Sequence, residues 1–330
     1  MTGNGLVVTG APELERLLEM APNRGGAFGD RARGALLGLA VGNLLGLPVE
    51  GHSRARIARQ FPDGVTEIDP AEARRAMDDD LAQAVDLGEA LVAGGNVVEE
   101  FARRLVRWRR ENGRGIGITT SAVINLLEEG QAPPGAARTI FEDRNRIAPN
   151  GGVMRCAPVA LARHSSPALL VRDSAATCAV THYAPACQWS CILLNALIAL
   201  LIKGMEPVPD ELISAAEADG APSEIREWAG RVGSDIDELH FDQGHIGHTL
   251  LCLQAGLWAL KTDANQEEAL IKVVSAGGDT DTNGAVAGAV LGARYGVSAI
   301  PQRWLDCIPQ RGRIEGLADK LVAAAHQESV

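Results

Sequence analysis

Along most of the chain, apolar residues recur every three or four positions, the spacing that lines one face of an α-helix. No two alternating runs are joined by an Asn-Gly or Asp-Gly turn, the strongest short-range mark of a β-hairpin. The pattern predicts an all-α protein with helices near 12–20, 30–46, 80–93, 98–110, 118–128, 166–179, 183–203, 209–217, 222–231, 245–261, 265–274, 282–295 and 312–326. Breaks rich in Gly, Pro and Asp fall near 46–53, 61–70, 111–117, 144–152, 204–208 and 218–222. They are scattered instead of gathered into one linker, so a single compact helical domain is expected over 29–330. Residues 1–28, glycine-rich at both ends, are expected to form a loosely attached arm with one short helix.

Two of these helices carry glycine at every fourth position: Gly34, Gly38, Gly42 and Gly46 in one, Gly284, Gly288 and Gly292 in the other. Glycine inside a helix costs about 0.5–1 kcal/mol relative to alanine, so a stripe of it implies close approach of another backbone or a ligand. Membrane GxxxG pairing is the competing explanation. It fails on length and polarity, because the first stripe holds Asn43 between Arg33 and Glu50 and the second holds Arg294. Tight packing inside a core is expected.

Composition narrows the class. Of 330 residues, 46% are hydrophobic and 22% charged, which excludes a long disordered chain and a membrane bundle. With 31 basic against 42 acidic residues the net charge is −11, a field that repels phosphate backbones and anionic lipid, so nucleic acid is disfavoured as a partner. The six cysteines lie in apolar runs with no CxxC pair and read as reduced core thiols. The N-terminus has no basic and apolar leader, and apolar stretches such as Trp189–Ile202 fall short of about 20 residues, so a cytoplasmic, non-spanning protein is expected.

Two acidic groups each precede a helix: Asp78-Asp79-Asp80, and Asp279-Thr280-Asp281-Thr282 after Gly277-Gly278. Helix capping accounts for one carboxylate at such a place, but three adjacent acids repel one another unless a cation or proton intervenes. A hard divalent ion suits Asp279, Asp281 and the Thr282 hydroxyl, all oxygen donors on one turn. If the groups meet in space, five carboxylates converge, enough for two metals. The DDxxD spacing of isoprenoid synthases does not fit, since the acids here are contiguous.

Seven segments in order resemble the ADP-ribosylglycohydrolase family: GALLGLAVGNLLGLPVE (34–50), DDDLAQAVDLGEAL (78–91), GIGITTSAVINLLEEG (115–130), PNGGVMRCAPVAL (149–161), THYAP (181–185), GHIGHTLLCLQAGLWAL (244–260) and GGDTDTNGAVAGAVLGARYGVSAIPQRW (277–304). The resemblance implies an all-α fold holding two Mg²⁺ or Mn²⁺ ions, and cleavage of the glycosidic bond at the distal ribose of ADP-ribose. The substrate it implies is an ADP-ribosylated protein or a small ADP-ribose conjugate. Carried over by position, it makes Asp79, Asp80, Asp279, Asp281 and Thr282 metal ligands. Asp78 stands where the family commonly has Thr and is expected to join them. Leu81 replaces a second Thr, and Asn43 an Asp.

The same resemblance places Glu50 near the scissile ribose. Water activated by metal or by a carboxylate, Glu50 or Asp80, would attack the anomeric carbon. Asn150, Gly151, Gly152, Val153 and Met154 correspond to the segment that wraps the diphosphate and distal ribose, and His182 to a diphosphate or outer-sphere contact. Arg155 reads either as a structural ion pair or as a substrate contact. Tyr183 and Phe141 are candidates for stacking the adenine. His245 and His248 lack a third ligand for zinc, and Trp258 and Trp304 read as core. The departures at positions 43, 78 and 81 keep two rivals open, a non-hydrolytic ADP-ribose binder and a hydrolase of another ribosyl metabolite.

Overall fold

The structure, a computed structural model, describes residues 7–21 and 26–327; parts of the expected N-terminal arm, 1–6 and 22–25, lie outside the described residues. It is a single all-helical domain. In chain order the helices are α1 (Pro12–Glu19), α2 (Phe28–Gly46), α3 (Arg54–Gln60), α4 (Pro70–Ala73), α5 (Asp79–Ala93), α6 (Val97–Glu111), α7 (Ile118–Glu128), α8 (Gly135–Asp143) and α9 (Ala157–Arg163). There follow α10 (Pro167–Cys178), α11 (Pro185–Ile202), α12 (Pro209–Ala218), α13 (Ser223–Ala229), α14 (Thr249–Lys261), α15 (Gln266–Ser275), α16 (Thr280–Tyr295), α17 (Gln302–Leu305) and α18 (Arg311–Gln327). Among the described residues there are no strands, only two isolated bridges, Ser53 with Gly277 and Pro149 with His248.

Each of the thirteen predicted helices has a counterpart, and α3, α4, α8, α9 and α17 are additional. All five are short: α9 is buried on all sides and so has no polar face, while α8 carries an apolar face of Ala136, Ala137, Ile140 and Phe141 over only two turns. The helix expected over 245–261 starts instead at Thr249. His248 is its cap, Nδ1 accepting from the Leu250 N–H at 3.3 Å, and the residues before it form a loop.

The core is organised on an antiparallel pair, α2 and α16, whose glycine stripes face each other. A Cβ at Gly38 would lie 2.9 Å from the carbonyl carbon of Gly288 and 3.3 Å from the Gly292 Cα, inside carbon–carbon contact distance. α11, α14, α15 and α18 pack around the pair. By length and composition, Phe28–Val49 and Pro185–Ile202 could cross a bilayer, but 83% and 94% of their most apolar windows are buried within the fold. They serve as core helices, apolar on every face because every face is covered.

The arm is docked where it is described. Ala11, Leu14 and Leu18 are buried, and Asp219 accepts from the backbone N–H groups of Glu13 and Leu14 at 3.0 and 2.9 Å, filling the open donors at the start of α1. Five cysteines are buried and unbonded as expected, while Cys307 is only half-buried. Trp258 and Trp304 are core residues whose indole N–H groups donate to the Ser234 and Thr66 carbonyls.

Candidate metal centre and active-site cleft

Three helix ends meet at one end of the α2–α16 seam. α2 runs into a 3-10 turn, Leu47–Val49, that delivers Glu50. The Gly51 N–H donates to the Gly278 carbonyl (2.8 Å) and the Gly278 N–H to the His52 carbonyl (2.9 Å), so Glu50 is tied beside the loop that carries Asp279. Gly277 and Gly278 both have positive φ, +83° and +81°, and a Cβ on Gly277 would lie 2.6 Å from the Arg54 nitrogen. No other residue type fits both conditions. Asp279 stands at the N-cap position of α16, with Asp281 and Thr282 in its first turn, and the Thr280 hydroxyl donates to the Gly46 carbonyl at 2.8 Å. Asp78 stands at the N-cap position of α5, with Asp79 and Asp80 following.

The two acidic groups therefore converge. Oxygens of Glu50, Asp279 and Asp281 lie within 4.8 Å of one another, as do those of Asp78, Asp79 and Asp80. Glu50, Asp79, Asp80, Asp279, Asp281 and Thr282 all line one cleft of about 310 Å³. Burial, and then the charge of neighbouring acids, pushes the Asp79 carboxyl up to about 8 and raises Asp80 and Asp281 well above the usual carboxylate range. Glu50 is raised by burial of its carboxyl and by Asp279 and Asp78, although the residue as a whole is exposed. Buried oxygens of Asp78, Asp80 and Asp281 have no hydrogen-bond partner. Orphaned hard oxygens on mutually repelling acids are what a divalent cation satisfies, so this donor set fits Mg²⁺ or Mn²⁺.

Two departures from the family pattern turn out to be partners. The Asn43 amide donates to Asp78 Oδ2 at 2.8 Å, and both residues are buried. An Asp at 43 facing a Thr at 78 would hold one carboxylate and one donor; Asn43 and Asp78 hold the same pair with the groups exchanged. Asp78 is not part of the cleft wall, but one of its carboxylate oxygens lies within 4.8 Å of oxygens on Asp79 and Asp80. Leu81 packs in the apolar core, 2% exposed, and takes no part in the wall.

Asn150, Gly151, Met154 and His182 line the cleft; Gly152 and Val153 do not. A Cβ on Gly152 would face the sulfurs of Cys178 and Cys191, in the core. The Asn150 amide is committed to Asp279 Oδ2 (2.8 Å) and Cys252 Sγ (3.2 Å), so it orients an acid of the cluster. Both expectations for Arg155 are overturned. It is wholly buried, absent from the wall and hydrogen-bonded to the neutral Gln83 and Thr181. Tyr183 is packed in a small apolar cluster against Phe141, their ring centroids 6.1 Å apart. His248 stacks on Trp228 at 5.4 Å.

The wall also holds Gly115, Gly117, Thr119, Thr120, Arg144, Ile147 and Gly247, to which no role was assigned from sequence. Gly115 had a visible signal, standing in a Gly-Ile-Gly just ahead of α7: a Cβ there would overlap Asp79 Oδ1. Gly247 is placed by backbone pairing, its carbonyl accepting from the Asn150 N–H at 3.0 Å. Nothing local in the sequence marks that contact across about a hundred residues.

The sequence profile of the ADP-ribosylglycohydrolase family matches residues 25–329. The chain is 30% identical to the ADP-ribosyl-[dinitrogen reductase] glycohydrolase of Rhodospirillum rubrum, over 90% of this chain and 97% of that one. It is 29% identical to the ADP-ribosylarginine hydrolase Tri1 of Serratia proteamaculans (strain 568), over 91% and 81%. A solved structure described as an ADP-ribosylglycohydrolase-related protein complex superposes with a TM-score of 0.73 at 30% identity, covering 90% of this chain and 99% of that one.

Proposed function

This chain belongs to the ADP-ribosylglycohydrolase family, and from that premise we propose that it is a divalent-metal-dependent hydrolase. It would cleave the glycosidic bond at the distal ribose of an ADP-ribosylated protein or small conjugate and release ADP-ribose. The observation that carries this reading is the convergence of Glu50, Asp79, Asp80, Asp279 and Asp281 on one cleft, with buried carboxylate oxygens lacking partners. Asp79, Asp80, Asp279, Asp281 and Thr282 would hold two ions, with Asp78 contributing its unpartnered oxygen. Mg²⁺ or Mn²⁺ there would supply positive charge to fix the ribose hydroxyls and to acidify the attacking water.

The rest is done by the chain. Glu50, at the rim and held basic by burial and by Asp279, takes the proton from the water that attacks the anomeric carbon. Asn150 keeps Asp279 in place through its amide. Asp80, wholly buried among other acids, would be ionised when a cation offsets that burial and repulsion, and its charge would then favour an oxocarbenium-like sugar as the bond to the leaving group breaks. His182 and Gly151 line the wall where the diphosphate would lie.

The test is incubation of the purified protein, with Mg²⁺ or Mn²⁺, against arginine-, serine- and nucleotide-linked ADP-ribose. Release of ADP-ribose from one of them, lost in Glu50→Gln, is expected. Tight ADP-ribose binding with no release from any conjugate would support the binding-protein reading instead.

A further inference from the structure

Arg155 is an expensive residue. Its guanidinium is fully buried, and its hydrogen bonds go to neutral groups: Nη1 donates to Gln83 Oε1, and Nη2 to Thr181 Oγ1 at 2.6 Å. It lies over the Phe101 ring, 4.9 Å from its centroid, and its Nε has no partner. Burying a cation without a carboxylate costs several kcal/mol. A purely structural reading does not account for it, because an apolar side chain would fill the space more cheaply.

The contact that follows does. Thr181 Oγ1 lies 2.7 Å from His182 Nδ1, and His182 is on the cleft wall. The chain therefore runs from Gln83 on α5, one turn beyond the acids Asp79 and Asp80, through Arg155 and Thr181 to a histidine in the cleft. We propose that Arg155 and Thr181 are positioning residues that hold His182 as the neutral tautomer protonated at Nε2. That tautomer presents a fixed N–H donor to a phosphoryl oxygen of the substrate's diphosphate.

The argument is one of donors and acceptors. A guanidinium only donates, so Thr181 Oγ1 accepts from Arg155. The hydroxyl's own proton has one acceptor among the described hydrogen bonds, His182 Nδ1. With Nδ1 accepting, the ring proton is on Nε2. That edge of the ring lies against Gly151, another wall residue: a Cβ on Gly151 would be 2.7 Å from Cε1 and 2.9 Å from Nε2. Burial and the charge of Arg155 also push the imidazole down to about 3, so the ring is neutral throughout the physiological range. In a cleft crowded with carboxylates, a fixed neutral donor avoids an ion pair with Asp79 or Glu50 and remains available to an anionic oxygen. Phosphoryl oxygen as its partner rests on the proposed glycohydrolase reading; the tautomer does not.

The experiment is ¹H–¹⁵N imidazole NMR on the full chain labelled at its histidines, with His182 assigned by the signal missing from His182→Gln. The expected result is an unprotonated Nδ1 and a protonated Nε2, unchanged from about pH 8 to pH 5. Thr181→Val should mix the tautomers and weaken ADP-ribose binding, measured by calorimetry, by roughly 10- to 100-fold; Thr181→Ser should restore both. A protonated Nδ1 in the parent protein, or a Thr181→Val spectrum unchanged at His182, overturns the proposal. The parent spectrum decides the matter even if Thr181→Val fails to fold. An intact tautomer in a protein that releases ADP-ribose from no conjugate would count against the proposed function and leave the positioning roles standing.

Discussion

Replacing Gly38 with alanine should force α2 away from α16. The new Cβ would overlap the Gly288 carbonyl oxygen and lie 2.9 Å from its carbon and 3.3 Å from the Gly292 Cα. Carbon atoms in contact sit about 3.5–4.0 Å apart, so the two backbones must part by something near 1 Å. Every obstacle is backbone, and no side chain can swing aside. Overpacking a core costs about 1–3 kcal/mol, and a clash of this kind belongs at the upper end or above. Against it stands the intrinsic preference for alanine in a helix, about 0.5–1 kcal/mol. The net expectation is a loss of about 2 kcal/mol or more. Gly316→Ala in α18 makes the same chemical change with nothing within 4 Å of the added methyl, and should gain up to about 1 kcal/mol. Urea unfolding of the two variants beside the parent reads both signs. A Gly38→Ala protein as stable as the parent, or a Gly316→Ala protein equally damaged, would refute the seam as described.

Further outcomes follow from the cleft. Free Mg²⁺ or Mn²⁺ at a hundred times its dissociation constant should add about 2.7 kcal/mol of stability, read as a rise in melting temperature, and Asp281→Asn should abolish the response. Asn43→Asp should cost on the order of 3 kcal/mol by facing Asp78 with a second buried carboxylate, and the double variant with Asp78→Thr should recover most of it in denaturant titration. His182 is neutral when folded, with its pKa depressed to about 3, and binds a proton only when unfolded; its contribution is complete above about 6.5 and is lost as pH falls toward 3. Between pH 6.5 and 4 that amounts to about 3 kcal/mol, so His182→Gln should lose less stability than the parent over this interval in pH-dependent thermal melts.

Much of this was legible because it is local. Helical spacing marked the long helices, and runs such as Asp78–Asp80 marked a candidate cation site before any tertiary information. The fourfold glycine spacing announced a close contact without naming its partner; that α2 and α16 serve each other is visible only in the fold. Short helices stayed hidden where burial removes the polar face, as in α9, or where a single residue points inward, as with Ile57 in α3. Arg155 defeats a reading from sequence for a physical reason. Charge suggests either a carboxylate partner or a ligand, and nothing in Met-Arg-Cys shows that its partners are Gln83 and Thr181, two neutral groups on other segments. The exchange between Asn43 and Asp78 was likewise two separate oddities in sequence and one hydrogen bond in space.

The central claim is that Asp78, Asp79, Asp80, Asp279 and Asp281 hold metal for hydrolysis at a distal ribose. Its most direct measurement is time-resolved release of ADP-ribose from ADP-ribosylated arginine by the purified protein, with and without Mg²⁺ or Mn²⁺, beside Asp281→Asn. The account predicts multiple turnovers with metal, none after chelation and none in the variant. Release that persists undiminished in chelator, or in Asp281→Asn, would contradict it.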